Sequence, residues 1–557
     1  MGGEPPEGGP CAESGARAAE RREESAAPRH DDPDGSRGRA PAPIVAADPR
    51  EERAVRLSTS STTGALSRVD LPWLALVLLC LCVVSALLSL EGIRRVERLG
   101  YASPDDAMVV QALWNTTHGR WFASSIERSE PPWEQNHLGT HFDLSLPLQV
   151  PLAWIAPGYR SLLWVHPLVG LLGVIPLFVY ARRRLGSPRL AAAAACLALA
   201  SPLLLTNTLR LGLYSWLVPP CVLFALERLD AGRRRAAAVG FLLATLCRED
   251  VAFPVAAFLL VLAATSPAHR RFALCVAAAC LAWLTFVLAV LGPWLAPGMH
   301  HLARYAHLGG SAGEILLSPL LHPAVFFSHL FSGESLVLGF LLLFPFLPCA
   351  LLSPRHLFAA AMPWAMVAVS SKASDKVLGH YLVPALPFLF AAAVAGVARA
   401  RTLAPQRWGS WRVRVPFVGL ALTWCTTAAA WTCDAGPLRR YQALRVLGSR
   451  ATLVLEAMTP EHAALRAVLS RVPAEASVSA AAPTLILLAK RRWLHPFPVR
   501  AHEADVLVID TDPSSPRYPD YGSAAHSAAV RRALSEAGAR SVRIGRFAVV
   551  DRRGVPK

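Results

Sequence analysis

The sequence is short of charge and lacks a cysteine framework. Of its 557 residues 17% are charged, against about 25% in soluble globular proteins. Its eleven cysteines include no CxxC pair, which leaves neither a disulfide framework nor a zinc signature. Most of them (Cys80, Cys82, Cys196, Cys221, Cys275, Cys280, Cys349 and Cys425) lie inside apolar runs, where a thiol serves as a small hydrophobe. A secretory signal is also missing: about seventy polar residues precede the first apolar run, and no A-x-A cleavage site follows it before Glu91. No internal repeat is visible.

The apolar residues are gathered into long runs. "LPWLALVLLCLCVVSALLSL" (71–90) carries no charge and has the length that crosses a hydrocarbon core about 30 Å thick. The chain therefore reads as an α-helical polytopic membrane protein. A net charge of +17 could indicate nucleic acid, but much of it sits in "ARRRLGSPR" (181–189), "GRRR" (232–235), "HRR" (269–271) and "RARTLAPQRWGSWRVR" (399–414). Juxtamembrane arginine clusters mark cytoplasmic loops, so the charge reports topology and no nucleic-acid partner is expected. Spans are expected near 71–90, 161–180, 190–206, 214–229, 236–247, 251–265, 271–291, 335–352, 357–371, 381–399 and 414–432. These eleven spans, within a transmembrane domain of residues 71–432, put a disordered tail, 1–70, in the cytoplasm. The first loop (91–143), residues 292–334 and 372–380, and a small α/β domain (433–557) fall outside. "LSLPLQVPLAWIAP" (144–157) reads as an interfacial or re-entrant helix. In the last part "DVLVID" (505–510) reads as a buried strand and "SVRIGRFAVV" as a closing strand. Asp510 and Asp512, in "DTDPSSP", are better read as turn formers than as catalytic acids.

Ionisable residues against membrane spans are costly and mark function. Four groups qualify, all on the outer side: Asp105 and Asp106; His137, His141 and Asp143; Arg248, Glu249 and Asp250 in "CRED"; and Lys372, Lys376, His380 and Tyr381. Carboxylates can act as bases, and arginine or lysine can hold a phosphate. Each group has a plainer reading. Asp105 can be a helix cap, the lysines a solvated loop, "CRED" an internal salt bridge at a helix break. The HxxxH of His137 and His141 can orient substrate, cap structure or bind metal, although a third ligand is not evident.

"SPDDAMVVQALWNTTHGRWFASSI", "NHLGTHFDLSLPLQVPLAWI", "FLLATLCREDVAFPVAAFLLVL", "RYAHLGGSAGEILLSPLLHP", "LLSPRHLFAAAMPWAMVAVSSKASDKVLGHYLVPALPFL" and "RVPAEASVSAAAPTLILLAKRRWLHPFP" occur in this order. They resemble the bacterial membrane-protein family domain-of-unknown-function 2079, over roughly residues 70 to 515. The resemblance implies a relative of GT-C glycosyltransferases in the bacterial inner membrane. Such enzymes take a sugar from a polyprenyl-phosphate carrier on the outer face; the acceptor is unknown and a divalent metal is left open. It implies Asp105, ahead of "QALW", as base, with its neighbour Asp106 as fallback; Val110 stands where the family often has a second Asp, so any metal-binding pair would need Asp106 instead. His137 and His141 match its "H…HF" block, with Asp143 where a small hydroxylic residue is usual. Arg248 replaces the more frequent Lys before Glu249 and Asp250, and His380 and Tyr381 match "HY". "LRLGLYSWLVPP" has Tyr214 and lacks the His often found before the fourth span. A transporter or lipid flippase, which would also use broken helices and intramembrane charge, is the rival reading.

Overall fold

The computed structural model describes residues 67–100, 104–128, 130–211, 215–297, 301–347, 349–372, 379–403, 458–512, 523–537 and 541–553. Residues 1–66 of the expected tail, the span at 414–432, Lys376 and Tyr214 lie outside these residues.

Four helical stretches among the described residues are long and apolar enough to cross a membrane: Leu71–Glu97, Tyr159–Leu185, Pro267–Leu295 and His380–Leu403. The pair Pro323–Leu330 and Gly333–Phe346, bent by 53°, makes a fifth if counted as one span. The remaining expected spans fall on shorter helices: Pro188–Leu199 with Pro202–Thr208, Val218–Asp230, Arg234–Cys247, Ala252–Thr265 and Pro354–Ala368. A helix such as Arg234–Cys247, with 14 residues, is about 21 Å long at 1.5 Å per residue, short of a full hydrocarbon core.

The first helix shows how composition sets an element. Pro72 lies in its first turn, Arg94 and Arg95 in its last. Proline is tolerated where backbone N–H groups have no helical partner, and cations favour the negative end of the dipole. Ser187 and Ser201 cap the short helices Pro188–Leu199 and Pro202–Thr208 by accepting from Leu190 N and Leu204 N. The spanning helices share one apolar core that runs from Val77 through Phe178, Phe241 and Phe258 to Phe388. Helix Leu386–Leu403 approaches the turn Cys349–Leu352 so closely that a Cβ at Gly396 would lie 1.8 Å from the Cys349 carbonyl oxygen. Only glycine fits there.

On the loop side, β1 (Ala123–Ser124) pairs antiparallel with β2 (Gln135–Asn136). The C-terminal residues form a mixed five-stranded sheet in the order β4-β3-β5-β7-β6. Here β3 is Val478–Ala480, β4 Leu494–Pro496, β5 Val506–Asp510, β6 Ser541–Ile544 and β7 Phe547–Asp551. The expected closing strand is in fact a hairpin. The chain reverses at Gly545, whose φ of 53° favours a residue without Cβ. Strand β4 was not expected from its sequence "LHP". A second core joins the sheet to the first loop: Val110 and Leu113 of helix Asp105–Thr117 cluster with Leu485, Val478, Val508 and Phe547.

Candidate functional site

Helix Asp105–Thr117 starts after Pro104, with no side-chain cap. Asp105 is therefore the first helical residue and not the cap its plainer reading gave it. The two acids differ sharply. Asp106 is fully buried, and Arg210 Nε donates to it at 2.7 Å. Asp105 has a side chain 42% exposed, 3.7 Å from Arg210 Nη2. Arg210 was missed in the sequence, although a charge between the apolar runs at 202–205 and 215–223 was a usable signal.

The HxxxH is divided between two carboxylates. His137 is buried and pairs through Nδ1 with Glu127 Oε1, while Gln135 Nε2 (2.6 Å) and Thr140 Oγ1 (3.0 Å) donate to Glu127 Oε2. His141 Nδ1 meets Glu249 Oε1 at 2.8 Å. Among the described residues no group of three or more His, Cys, Asp and Glu side chains is placed to hold a metal. Burial opposes a charge on His137, but the Glu127 carboxylate outweighs it and raises the imidazole above its ordinary value. The same pairing holds Glu127 below the usual carboxylate range in spite of burial. Asp143 accepts from Ser145 N (2.7 Å) and Ser145 Oγ (2.6 Å), and burial pushes its carboxyl up to about 7 against those two bonds.

At "CRED" the helix Arg234–Cys247 stops because Arg248 adopts an extended backbone, φ −165° and ψ 126°. A 3-10 turn, Glu249–Val251, then leads into helix Ala252–Thr265. Arg248 is 1% exposed, and its Nη2 pairs with Asp250 Oδ2 at 2.8 Å. Its Nε and Nη1 are buried without a hydrogen-bond partner, as are Glu249 Oε2 and Asp250 Oδ1. The internal salt bridge exists, therefore, but satisfies one nitrogen of three. Tyr381 lies under two guanidinium groups, Arg248 at 4.9 Å and Arg304 at 5.3 Å from the ring centroid. The His380 ring lies against that of Tyr381, tilted by 37° with the centroids 4.0 Å apart. The Arg304 carbonyl accepts from Ser371 N (2.9 Å) and Ser371 Oγ (2.8 Å), which ties its segment to the late loop. Lys372, next along, is exposed.

These groups form one connected cluster. Arg248, Arg210, His141 and Arg304 all act electrostatically on His380. Asp143 and Asp105 act on His137, and Glu249 acts on Asp143. Four sequence-separated groups thus converge, apart from the exposed Lys372 and from Lys376, which lies outside the described residues. Glu127 and Arg304 were not singled out, nor was Gln111, which fastens this helix to the C-terminal sheet. Its Nε2 donates to the carbonyls of Arg491 (3.1 Å) and Arg492 (2.9 Å) and to Ser125 Oγ (3.0 Å). Its Oε1 accepts from Ser124 Oγ and Ser125 N, both at 3.0 Å. Asp510 and Asp512 lie away from this cluster beside Arg546, at 3.4 and 3.6 Å.

Residues 95–534 match the predicted membrane proteins of family DUF2079. The chain belongs to DUF2079. No curated protein matches it. Its fold is similar to the crystal structure of ArnT from Cupriavidus metallidurans bound to undecaprenyl phosphate, with a TM-score of 0.50 and 16% identity. The likeness covers 87% of this chain and 99% of that one. The DUF2079 chain is thus a helical membrane protein with an ArnT-like fold and a small C-terminal mixed sheet.

Proposed function

We propose that this protein is an inverting glycosyltransferase of GT-C type that moves a sugar from a polyprenyl-phosphate carrier to an acceptor hydroxyl on the extracytoplasmic face. One observation carries the reading. A buried guanidinium with two unmet donors, on Arg248, adjoins two unmet carboxylate oxygens, on Glu249 and Asp250. A sugar phosphate offers the complement of both: anionic oxygens for the donors and hydroxyl groups for the acceptors. The ArnT-like fold, and the undecaprenyl phosphate bound by ArnT itself, support the choice of carrier.

The acceptor oxygen attacks the anomeric carbon in line with the bond to phosphate. That bond breaks, and polyprenyl phosphate leaves with the electron pair. Asp105, the more exposed of the two acids, takes the acceptor proton. Arg248 and Arg304, both over the Tyr381 ring, meet the charge that grows on the phosphate. His141, held by Glu249, orients the sugar.

Membranes containing the protein, supplied with radiolabelled polyprenyl-phosphate sugars, test this. Label transferred to a new product, and lost with Asp105→Asn, is the expected result. Label that crosses the bilayer unchanged makes the protein a flippase and overturns the reading.

A further inference from the structure

The end of the helix bundle remote from Arg248 carries a charge imbalance that the transferase reading does not use. Helix Arg234–Cys247 begins there and ends at Arg248. Three acids at this end are occupied. Asp70 pairs with Arg182 (2.5 Å), Glu227 with Arg183 (2.6 Å) and Arg228, and Asp230 with Arg184. Among the described ion pairs none includes Arg233, Arg234 or Arg235. These three side chains, with Gly232, Ala236 and His269, line an open cavity of about 620 Å³. Among the described residues no acid lines it, and Arg234 and Arg355 both act electrostatically on His269.

What borders the cavity identifies its occupant. Arg235, Val239 and Leu243 repeat every four residues along one helix and so share a stripe. Val239 is 53% and Leu243 39% exposed, and Leu274 on helix Arg270–Phe286, which packs against this one, is 43% exposed. A cationic pocket therefore opens onto an apolar stripe at the end of membrane helices. A soluble anion would use the pocket and ignore the stripe. A molecule with an anionic head and a long apolar tail uses both.

We propose that Arg233, Arg234, Arg235 and His269 form a binding site for the headgroup of an anionic glycerophospholipid, whose acyl chain lies along Val239 and Leu243. The source is the surrounding bilayer leaflet. The site is separate from the Arg248 cluster, so its test does not read sugar transfer.

The full-length protein, purified in detergent, is titrated with phosphatidylglycerol, phosphatidylcholine or sn-glycerol 3-phosphate, and bound lipid and thermal unfolding are followed by native mass spectrometry and a melting assay. Phosphatidylglycerol is expected to be retained and to stabilise the protein where phosphatidylcholine and glycerol phosphate do not. Each of Arg233→Gln, Arg234→Gln and Arg235→Gln should weaken phosphatidylglycerol binding about fivefold, the effect of one basic side chain near an anionic lipid surface. Equal retention of the two lipids by the unaltered protein overturns the proposal without recourse to any variant. Stabilisation by glycerol phosphate equal to that by phosphatidylglycerol makes the site one for soluble anions and overturns it too. A triple variant that still melts cooperatively and holds phosphatidylglycerol as tightly as the parent places the lipid elsewhere.

Discussion

Replacing Asp105 and Asp106 by asparagine, one at a time, separates chemistry from scaffolding at the start of helix Asp105–Thr117. Asp106 is 0% exposed and bonded to Arg210 at 2.7 Å, and the Arg210 side chain is itself 12% exposed. Breaking a buried pair by removing one charge costs about 3–5 kcal/mol, because the partner is left uncompensated. Asparagine keeps one acceptor oxygen for Arg210, so Asp106→Asn should fall near the lower end, about 3 kcal/mol. Asp105 stands 3.7 Å from Arg210 with its side chain 42% exposed. A pair so exposed is worth about 0–1 kcal/mol. Neither acid caps the helix, so no cap is lost.

Activity should follow the opposite order. Loss of a general base lowers a rate by about 10²–10⁴-fold, and that loss should attend Asp105→Asn in a protein that melts within a few degrees of the parent. Asp106→Asn should melt earlier and retain transfer in proportion to the folded fraction. The assays are size-exclusion and melting of the purified variants, then transfer from a labelled polyprenyl-phosphate sugar normalised to folded protein. Full transfer by Asp105→Asn, or equal destabilisation by both changes, would refute the assignment of base and strut.

Arg248→Lys keeps a cation near Asp250 but loses the planar fork, so transfer should drop about tenfold, whereas Arg248→Gln should lose about 10²–10³-fold; equal rates for the two would remove Arg248 from the phosphate. The raised value of His137 means that the folded loop keeps a proton beyond about pH 6.5, where the unfolded chain releases it. Its stabilisation is complete below that pH and is lost as pH rises through the folded value. Glu127, held low, contributes above about pH 4.5 and fails as pH falls through its own folded value. Limited proteolysis of residues 118–143 should accordingly speed up on the alkaline side, and Glu127→Gln should flatten that dependence. Asp143→Asn should stabilise the protein above pH 7, since the carboxyl raised to about 7 is most costly once ionised; melting at pH 8 checks the sign. Gln111→Leu leaves buried carbonyls and hydroxyls unpaired, at about 1–3 kcal/mol for each group stranded, and should expose residues 458–553 to protease first.

Much of this architecture could be read from the chain because it is set by local composition. Apolar runs mark the longest helices, and strands such as "DVLVID" announce themselves by continuous β-branched and aliphatic residues. The shorter helices were harder to place, since a largely apolar helix of 13 or 14 residues is equally compatible with a span and a half-span. Strand β4 escaped because its three residues are "LHP", in which the pairing with β3 decides what propensity does not. The hairpin at Gly545 looked like one strand because a single glycine in an alternating pattern reads equally as a bulge.

The cluster itself divides along the same line. Residues that interrupt an apolar run, such as Arg248, or that cluster beside one, such as Asp105 and His141, are visible as costs that something must offset. Partners are not visible. Arg210 reaches Asp106 across 104 positions, and Glu249 reaches His141 across 108. Nothing in the spacing of HxxxH could say that its two histidines answer to different carboxylates, one a strut within the loop and one at the helix break. That division decides their roles. His137, paired with Glu127, whose other oxygen accepts from Gln135 and Thr140 within the same loop, has its polar work done by neighbours and holds the loop's shape. His141 is bound to a carboxylate whose second oxygen has no hydrogen-bond partner and whose neighbour is an arginine with two of its three nitrogens unmet. It belongs to the part of the protein that a ligand would complete.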